Sequence, residues 1–476
     1  MVKFFLDCNV AKAPRNDENR AVFIFYGRMV GRPASGDPGK IAYYPPRQNK
    51  ITMTKIIPQS VKGKIRNLKS LLNVVFIFIY LGAPFLRYDR GADAPNQAIL
   101  FDFENSIGYF FGIEMWPDEV YYLMGILIFA ALLLFFVTAL FGRIWCGYAC
   151  FQTVWTDIFI GIEKFFQGDR NQRILLNRKN SFNKFYRKFL THIGWLIVAI
   201  ITGYGFTAYF SDAFVQFEDL LRFDLTQNVI LWIAGIATMT YIMAGFAREA
   251  VCSIMCPYAR FQSAMFDRDT LIVTYDEKRG ERRGRLKDKD RGDCIDCKQC
   301  VVVCPTGIDI RDGLQMECIA CGLCIDACDG IMDKIGQPRG LIRYDTQSNL
   351  ENPESTKKPK VFNFLRPRFF FYLTIILTVS SLMLGSVMNK SMVLTSIIAK
   401  RNPAFVMMSD GSISNSYSLK ITNKSRQDKI FEIKVKQPNF AEVQIGNHTG
   451  TKELLVGKSD SNNFRLFIKV PEGELP

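Results

Sequence analysis

The sequence predicts three dissimilar parts: a polytopic α-helical membrane bundle, a cysteine-rich module placed before the last membrane span, and a small C-terminal all-β domain. Three observations carry this. Five long apolar runs punctuate the chain, eight of its 13 cysteines fall between Cys294 and Cys328, and apolar and polar residues alternate beyond Asn402. At 476 residues the chain has room for about three domains.

The runs Ser70–Leu86, Tyr121–Phe141, Thr191–Phe210, Val229–Ala247 and Phe369–Met388 are each close to the ~20 apolar residues that cross a bilayer as a helix. The first is the shortest and carries Gly82 and Pro84 near its end. It follows a long polar stretch, so it is not expected to be a cleaved leader. Lysine and arginine counts set the orientation, because cytoplasmic flanks retain them. Residues 1–69 hold 14, 87–120 hold 2, 142–190 hold 9, 211–228 hold 1 and 248–368 hold 21. The alternation predicts a cytoplasmic N-terminus, a cytoplasmic cysteine-rich module and a periplasmic C-terminus. The net charge of +15 is then mostly topology, and nucleic-acid binding is not expected. The run 276–291 reads as a solvated linker or a contact with anionic membrane lipid.

Spans two and four end alike, in "FGRIWCGYACFQTVWTD" and "FAREAVCSIMCPYARFQSAMFD". Each has an arginine, a Cys-x3-Cys pair and a Phe-Gln doublet, which predicts a pseudo-twofold four-helix bundle. If the helices run on, Cys146 with Cys150, and Cys252 with Cys256, lie one turn apart on one face. Such pairs suit a shared metal or a reactive thiol pair; small apolar packing residues are the alternative.

Cys294, Cys297, Cys300 and Cys304 form C-x2-C-x2-C-x3-C followed by Pro305, and Cys318, Cys321, Cys324 and Cys328 repeat the spacing. In this pattern the fourth cysteine of each run serves the other cluster. Cys294, Cys297, Cys300 and Cys328 are expected to hold one [4Fe–4S] cluster, and Cys318, Cys321, Cys324 and Cys304 a second. Zinc fits poorly, since its sites close with four ligands. Asp329 stands where a proline would complete the second run. Asp293, Asp296, Asp326 and Asp329 are expected either to lower the cluster potentials or to be ordinary surface residues. Only His192 and His448 occur, which excludes a haem needing paired imidazoles on facing spans.

The tail "SYSLKITNKSRQDKIFEIKVKQPNF", "AEVQIG" and "NNFRLFIKV" reads as antiparallel strands of an immunoglobulin-like sandwich, shorter than the roughly 100 residues usual for that fold, so that either one or two strands are missing or the sheet completes elsewhere. Met407 and Met408 are read as strand-edge packing rather than copper ligands. Cys8 is read as incidental, in a segment before Lys40 of no recognised kind.

These spans and motifs, with "GQPRGLIRYDT" and "NPAFVMMSDGSISNSYSLKITNKS", closely resemble the CcoG/FixG/RdxA family over residues 40 to 470. These are bacterial inner-membrane accessory proteins of cbb3-type cytochrome c oxidase assembly. The resemblance implies two [4Fe–4S] clusters on the eight cysteines and reduction of Cu(II) to Cu(I), copper being the substrate. It also implies a role, less settled within the family, for Cys146, Cys150, Cys252 and Cys256. Expected partners are the oxidase or its copper-delivery factors, an unknown cytoplasmic electron donor and membrane lipid, with a homodimer one assembly. Related membrane ferredoxins leave open a quinol- or flavin-linked carrier with bound flavin or quinone; a redox-sensing assembly scaffold is a third reading. The domain plan is a basic N-terminal segment (1–69), a four-helix bundle (70–275), a linker and ferredoxin-type domain (276–368), a fifth span (369–388) and the sandwich (389–476).

Overall fold

The computed structural model describes residues 56–91, 94–178, 180–351, 366–403, 405–425, 427–433, 442–446 and 453–471. Cys8, His448 and the predicted strand residues 434–440 lie outside them. Two compact units are present, Met1–Phe101 with Val137–Phe364, and Asp102–Phe136 with Leu365–Pro476.

Five helices are long and apolar enough to span a membrane: Lys64–Phe85, Pro117–Phe141, Phe182–Thr207, Gln227–Met255 and Pro367–Met388. Span one begins six residues before the apolar run because its polar first turn is capped from outside. Span four reaches Met255 through π-helical turns at Met243–Ala247 and Val251–Met255, each accommodating an extra residue.

In the first unit, spans three and four pack along their length. A second amphipathic helix, Phe151–Gln167, lies against span three. Fully buried Phe159 stacks on Trp195 at 5.3 Å, and the indole N–H of Trp195 donates to the Phe159 carbonyl at 3.1 Å. The cysteine-rich module is closed by an antiparallel strand pair, Ile272–Tyr275 with Ile342–Asp345, in the register Ile272 opposite Asp345 and Tyr275 opposite Ile342. Its β-branched and aromatic residues form one core with Cys294, Cys300, Cys328 and Met332. The basic run at 276–291 is exposed over most of its length, and its first half is tied to the module it precedes by Arg279 with Asp293 and Arg283 with Asp312 at 3.4 Å.

In the second unit the early part of span two lies on span five. Tyr122 donates to the Ser386 carbonyl at 3.0 Å, and Phe136 meets Phe369 at 5.5 Å between centroids. The C-terminal domain orders its larger antiparallel sheet as Glu442–Ile445, Asp460–Val470, Ile413–Asn423 and Val393–Ala399, with Val406–Met407 also paired to Ile413–Asn423. A second pair, Lys429–Glu432 with Glu453–Val456, closes over it, and Leu419, Ile421, Ile445, Leu454, Val456 and Leu466 fill the space between. The domain starts at Val393, earlier than alternation alone indicates. Met407 and Met408 are exposed, so edge packing does not account for them. Buried Glu119 accepts from Lys390 at 2.8 Å and Lys424 at 2.6 Å, tying the start of span two to the end of span five and to the sandwich.

Candidate iron–sulfur and thiol site

Four of the eight module cysteines, the first of the two expected sets, come together around one cavity. Cys294, Cys297, Cys300 and Cys328 line a single cavity together with Tyr275, Arg311 and Met332. Cys328 therefore leaves its own run to join the first three. Burial pushes its thiol up to about 12, and the thiols of Cys300, Cys297 and Cys294 add to the effect. In the second set burial pushes the Cys318 thiol up to about 12, with Cys304 and Cys321 among the charges that raise it further, and Cys324 lies in the field of Cys321, Cys318, Cys304 and, from the first set, Cys300. Cys297 alone among the eight is exposed.

Buried thiols this reluctant to ionise call for a cation to stabilise their thiolates. Zinc would draw four sulfurs to about 2.3 Å of one point. Among the described residues no three His, Cys, Asp or Glu side chains gather to hold a single ion. Sulfurs spread around a cavity fit a cubane, whose four irons each take one cysteine. The donor set and its placement thus fit two [4Fe–4S] clusters.

Four acidic residues near these cysteines all have structural partners. Asp326 accepts from the backbone N–H groups of Ile65 at 3.3 Å and Arg66 at 2.8 Å, capping span one. Gly63 precedes that turn, and a Cβ there would lie 2.1 Å from the Asp326 carboxyl carbon. Asp293 pairs with Arg279, Asp296 with Arg311 at 2.7 Å, and Asp329 accepts from the Gly340 N–H at 2.9 Å. The Arg311 guanidinium holds the Asp296 carboxyl below its ordinary range.

The helix-end cysteines occupy matched local structures. The helices do not run on through them. Both Cys150 (ψ 126°) and Cys256 (ψ 110°) are extended and cap the start of a new helix, Phe151–Gln167 or Pro257–Met265. In each case the backbone N–H reaches five residues back, Cys150 to Trp145 at 2.9 Å and Cys256 to Val251 at 2.8 Å. Each repeat also inserts a glutamine into the other. Fully buried Gln262 accepts from the Cys146 thiol at 3.3 Å, and Gln152 donates to the Met243 carbonyl at 3.0 Å. Burial pushes the Cys146 thiol up to about 11, with Cys150 and Cys256 contributing and Gln262 opposing. The four thiols are neighbours, but no three of them make a ready mononuclear site. The predicted one-face pairing is lost at the breaks before Phe151 and Pro257.

The two cysteine systems meet. Cys146 and Cys252 pack against the core formed by Val303, Ile319, Cys321, Leu323 and Ala327. Gly147 makes the approach possible: a Cβ there would lie 2.7 Å from the Ile319 carbonyl oxygen and 3.0 Å from Cys321 Cα. Arg143 is 5% exposed and donates to the carbonyls of Met316, Cys318 and Ala259, fastening the loop between the two cysteine runs to the end of span two. A cavity of about 40 Å³ opens beside the contact, lined by Lys69, Asp157, Arg248, Cys252, Pro305 and Ile319. Gly147, Gln262 and Lys69 were not singled out by sequence reasoning. The Phe-Gln doublet signalled the glutamine, and a lysine one turn into a membrane span signalled the third.

Fold and site together define a polytopic membrane iron–sulfur protein with an immunoglobulin-like C-terminal domain. The 4Fe-4S dicluster domain family matches residues 247–347, the IG-like fold at the C-terminus of FixG matches 383–476, and a 4Fe-4S binding domain family matches 123–170, which includes Cys146 and Cys150. The chain is 40% identical to Protein RdxA of Cereibacter sphaeroides (89% of this chain, 91% of that one). It is 41% identical to Protein RdxB of the same organism (88% and 89%) and 37% identical to Nitrogen fixation protein FixG of Rhizobium meliloti (88% and 87%). No solved structure matches. The chain belongs to the FixG/RdxA family.

Proposed function

We propose that this protein is a one-electron reductase of Cu(II) that supplies Cu(I) for assembly of a cbb3-type cytochrome c oxidase. The observation that carries the reading is the contact of Cys146 and Cys252 with the Ile319–Cys321 loop, which joins an electron-storing module to a group of thiols at the membrane edge. Bound [4Fe–4S] groups supply one-electron storage, which matches a substrate that takes one electron. Each Cu(II) takes one electron to become Cu(I), so a module with both sites loaded and reduced yields two Cu(I). The thiols of Cys146, Cys150, Cys252 and Cys256 are the soft donors on offer, and soft sulfur ligands favour Cu(I) over Cu(II). Gln262 orients the Cys146 thiol, while Arg143 and Gly147 keep the loop against it. The basic flanks support a cytoplasmic module loaded by a cytoplasmic donor and a periplasmic sandwich that docks the oxidase or its copper-delivery factors.

The test is to reduce the anaerobic protein with dithionite, remove the excess, and add Cu(II) with a Cu(I)-specific chelator. About two Cu(I) per chain should form as the iron–sulfur absorbance recovers to the oxidised spectrum. No Cu(I) above an iron-free control overturns the reading.

A further inference from the structure

The two cysteine sets sit in unlike electrostatic surroundings. The first is flanked by Arg311, paired with Asp296 at 2.7 Å and Asp309 at 2.7 Å, and by Asp329 next to Cys328. Two cations there, Arg311 and the solvent-exposed Lys298, face three carboxylates, and Cys297 is open to solvent. The second set has two buried cations beside it. Arg143 donates to carbonyl oxygens, with no carboxylate partner among the described residues. Lys69, 2% exposed, has its Nζ 3.9 Å from Asp157, beyond hydrogen-bond reach, and Asp157 is already engaged by Arg66 at 2.7 Å and Asn73 at 2.8 Å. Asp157, the capping Asp326 and Glu249 are the facing carboxylates and Arg248 adds a third cation on the same cavity, so the surroundings are close to balanced where those of the first set are negative. Lys69 lines the cavity floored by Pro305 and Ile319, the neighbours of Cys304 and Cys318.

Adding an electron to an iron–sulfur site adds negative charge, so nearby net charge sets its potential, and a buried cation is little screened. We propose that Lys69 is a positioning residue that gives the site of Cys304, Cys318, Cys321 and Cys324 the higher potential of the two, so that electrons entering at exposed Cys297 collect beside Cys146 and Cys252. The inference rests on the two-cluster part of the proposed function and not on copper, and it assigns the direction of flow within the module. Lys69 suits this role better than Arg143 for testing, because it makes no hydrogen bond to the cysteine loops and its charge can be removed without untying them.

The experiment is an EPR-monitored redox titration of the full-length protein in detergent, for the native chain and for Lys69→Met, Lys69→Arg and Asp329→Asn, each first shown to retain its iron. Two midpoints are expected for the native protein. Lys69→Met should lower the higher one and leave the lower in place, and Lys69→Arg should restore it. Asp329→Asn, beside Cys328, should raise the lower midpoint. An unchanged pair of midpoints in Lys69→Met, an equal shift of both, or movement of the same midpoint by Lys69→Met and Asp329→Asn would overturn the proposal. Loss of Cu(II) reduction with the predicted midpoint pattern intact would instead count against the copper reading alone.

Discussion

The carboxylate of Asp326, two residues before Cys328, accepts the backbone N–H of Arg66 at 2.8 Å and thereby makes the cysteine-rich module the N-terminal cap of the first membrane span. A helix otherwise leaves its first N–H groups without partners, and here Gly63 leaves room for an acid from about 260 residues further along the chain. Asp326→Ala removes the cap and should cost about 1 kcal/mol of stability. Thermal unfolding of the iron-loaded protein should show a lowered midpoint with iron content unchanged, while Ser at 326 should recover part of the loss. No change in midpoint for the alanine variant would show that the cap contributes nothing.

Gly147→Ala places a methyl group where the Ile319 carbonyl and Cys321 Cα already stand. Overpacking of this kind typically costs about 1–3 kcal/mol. The strain falls on the second cysteine set, so one EPR signal should change while that of the set containing Cys294 and Cys328 persists. Loss of both signals together would mean that Gly147 serves the whole module rather than this one contact.

Glu119 holds two lysines, Lys390 and Lys424, in a buried site of the second unit. Glu119→Ala strands two cations away from water, and breaking such a pair costs about 3–5 kcal/mol. Limited proteolysis should cut the sandwich of this variant faster than that of the native protein, with the iron signals unaltered. Equal cleavage rates would mean the lysines find other partners.

Removal of iron should act locally and with a definite pH sign. The iron-free fold raises the thiols of Cys300, Cys318 and Cys328 to about 12 by burial, against an ordinary value near 8.5. A raised pKa stabilises the fold fully below the unfolded value, and that contribution is lost as pH rises through the folded one. The iron-free protein should therefore melt at lower temperature at pH 10 than at pH 7, with hydrogen exchange rising in 294–335 and not in Ile413–Asn423. The iron-loaded protein, whose sulfurs are already thiolates, should show a much weaker decline over the same range.

Much of this was legible in sequence because the signals are local. Eight cysteines at fixed spacing name their own sets, and apolar runs name the spans. The strands around Leu419 and Leu466 follow from alternation. Contacts made across long separations were not legible. Nothing in "KGKIRNLK" announces that Asp326 will cap it, and nothing in "CGYAC" says that its glycine faces the carbonyl of Ile319. The helix breaks at Cys150 and Cys256 escaped for another reason: the apolar pattern runs through them, and only the five-residue hydrogen bonds to Trp145 and Val251 show the chain turning. The aspartates beside the cysteines were legible as surface charge or potential tuning, but their partners Arg279, Arg311 and Gly340 were not.

The central claim is that electrons leave the module through the contact with Cys146 and Cys252, and it is tested most directly by stopped-flow reoxidation of dithionite-reduced protein with Cu(II), comparing the native chain with a Cys146→Ala, Cys252→Ala variant of equal iron content. The native protein should be reoxidised as Cu(I) appears, at one electron per ion. The variant should keep both iron–sulfur signals and slow at least tenfold, a rise of about 1.4 kcal/mol or more in the barrier. Equal rates for the two proteins would contradict the route.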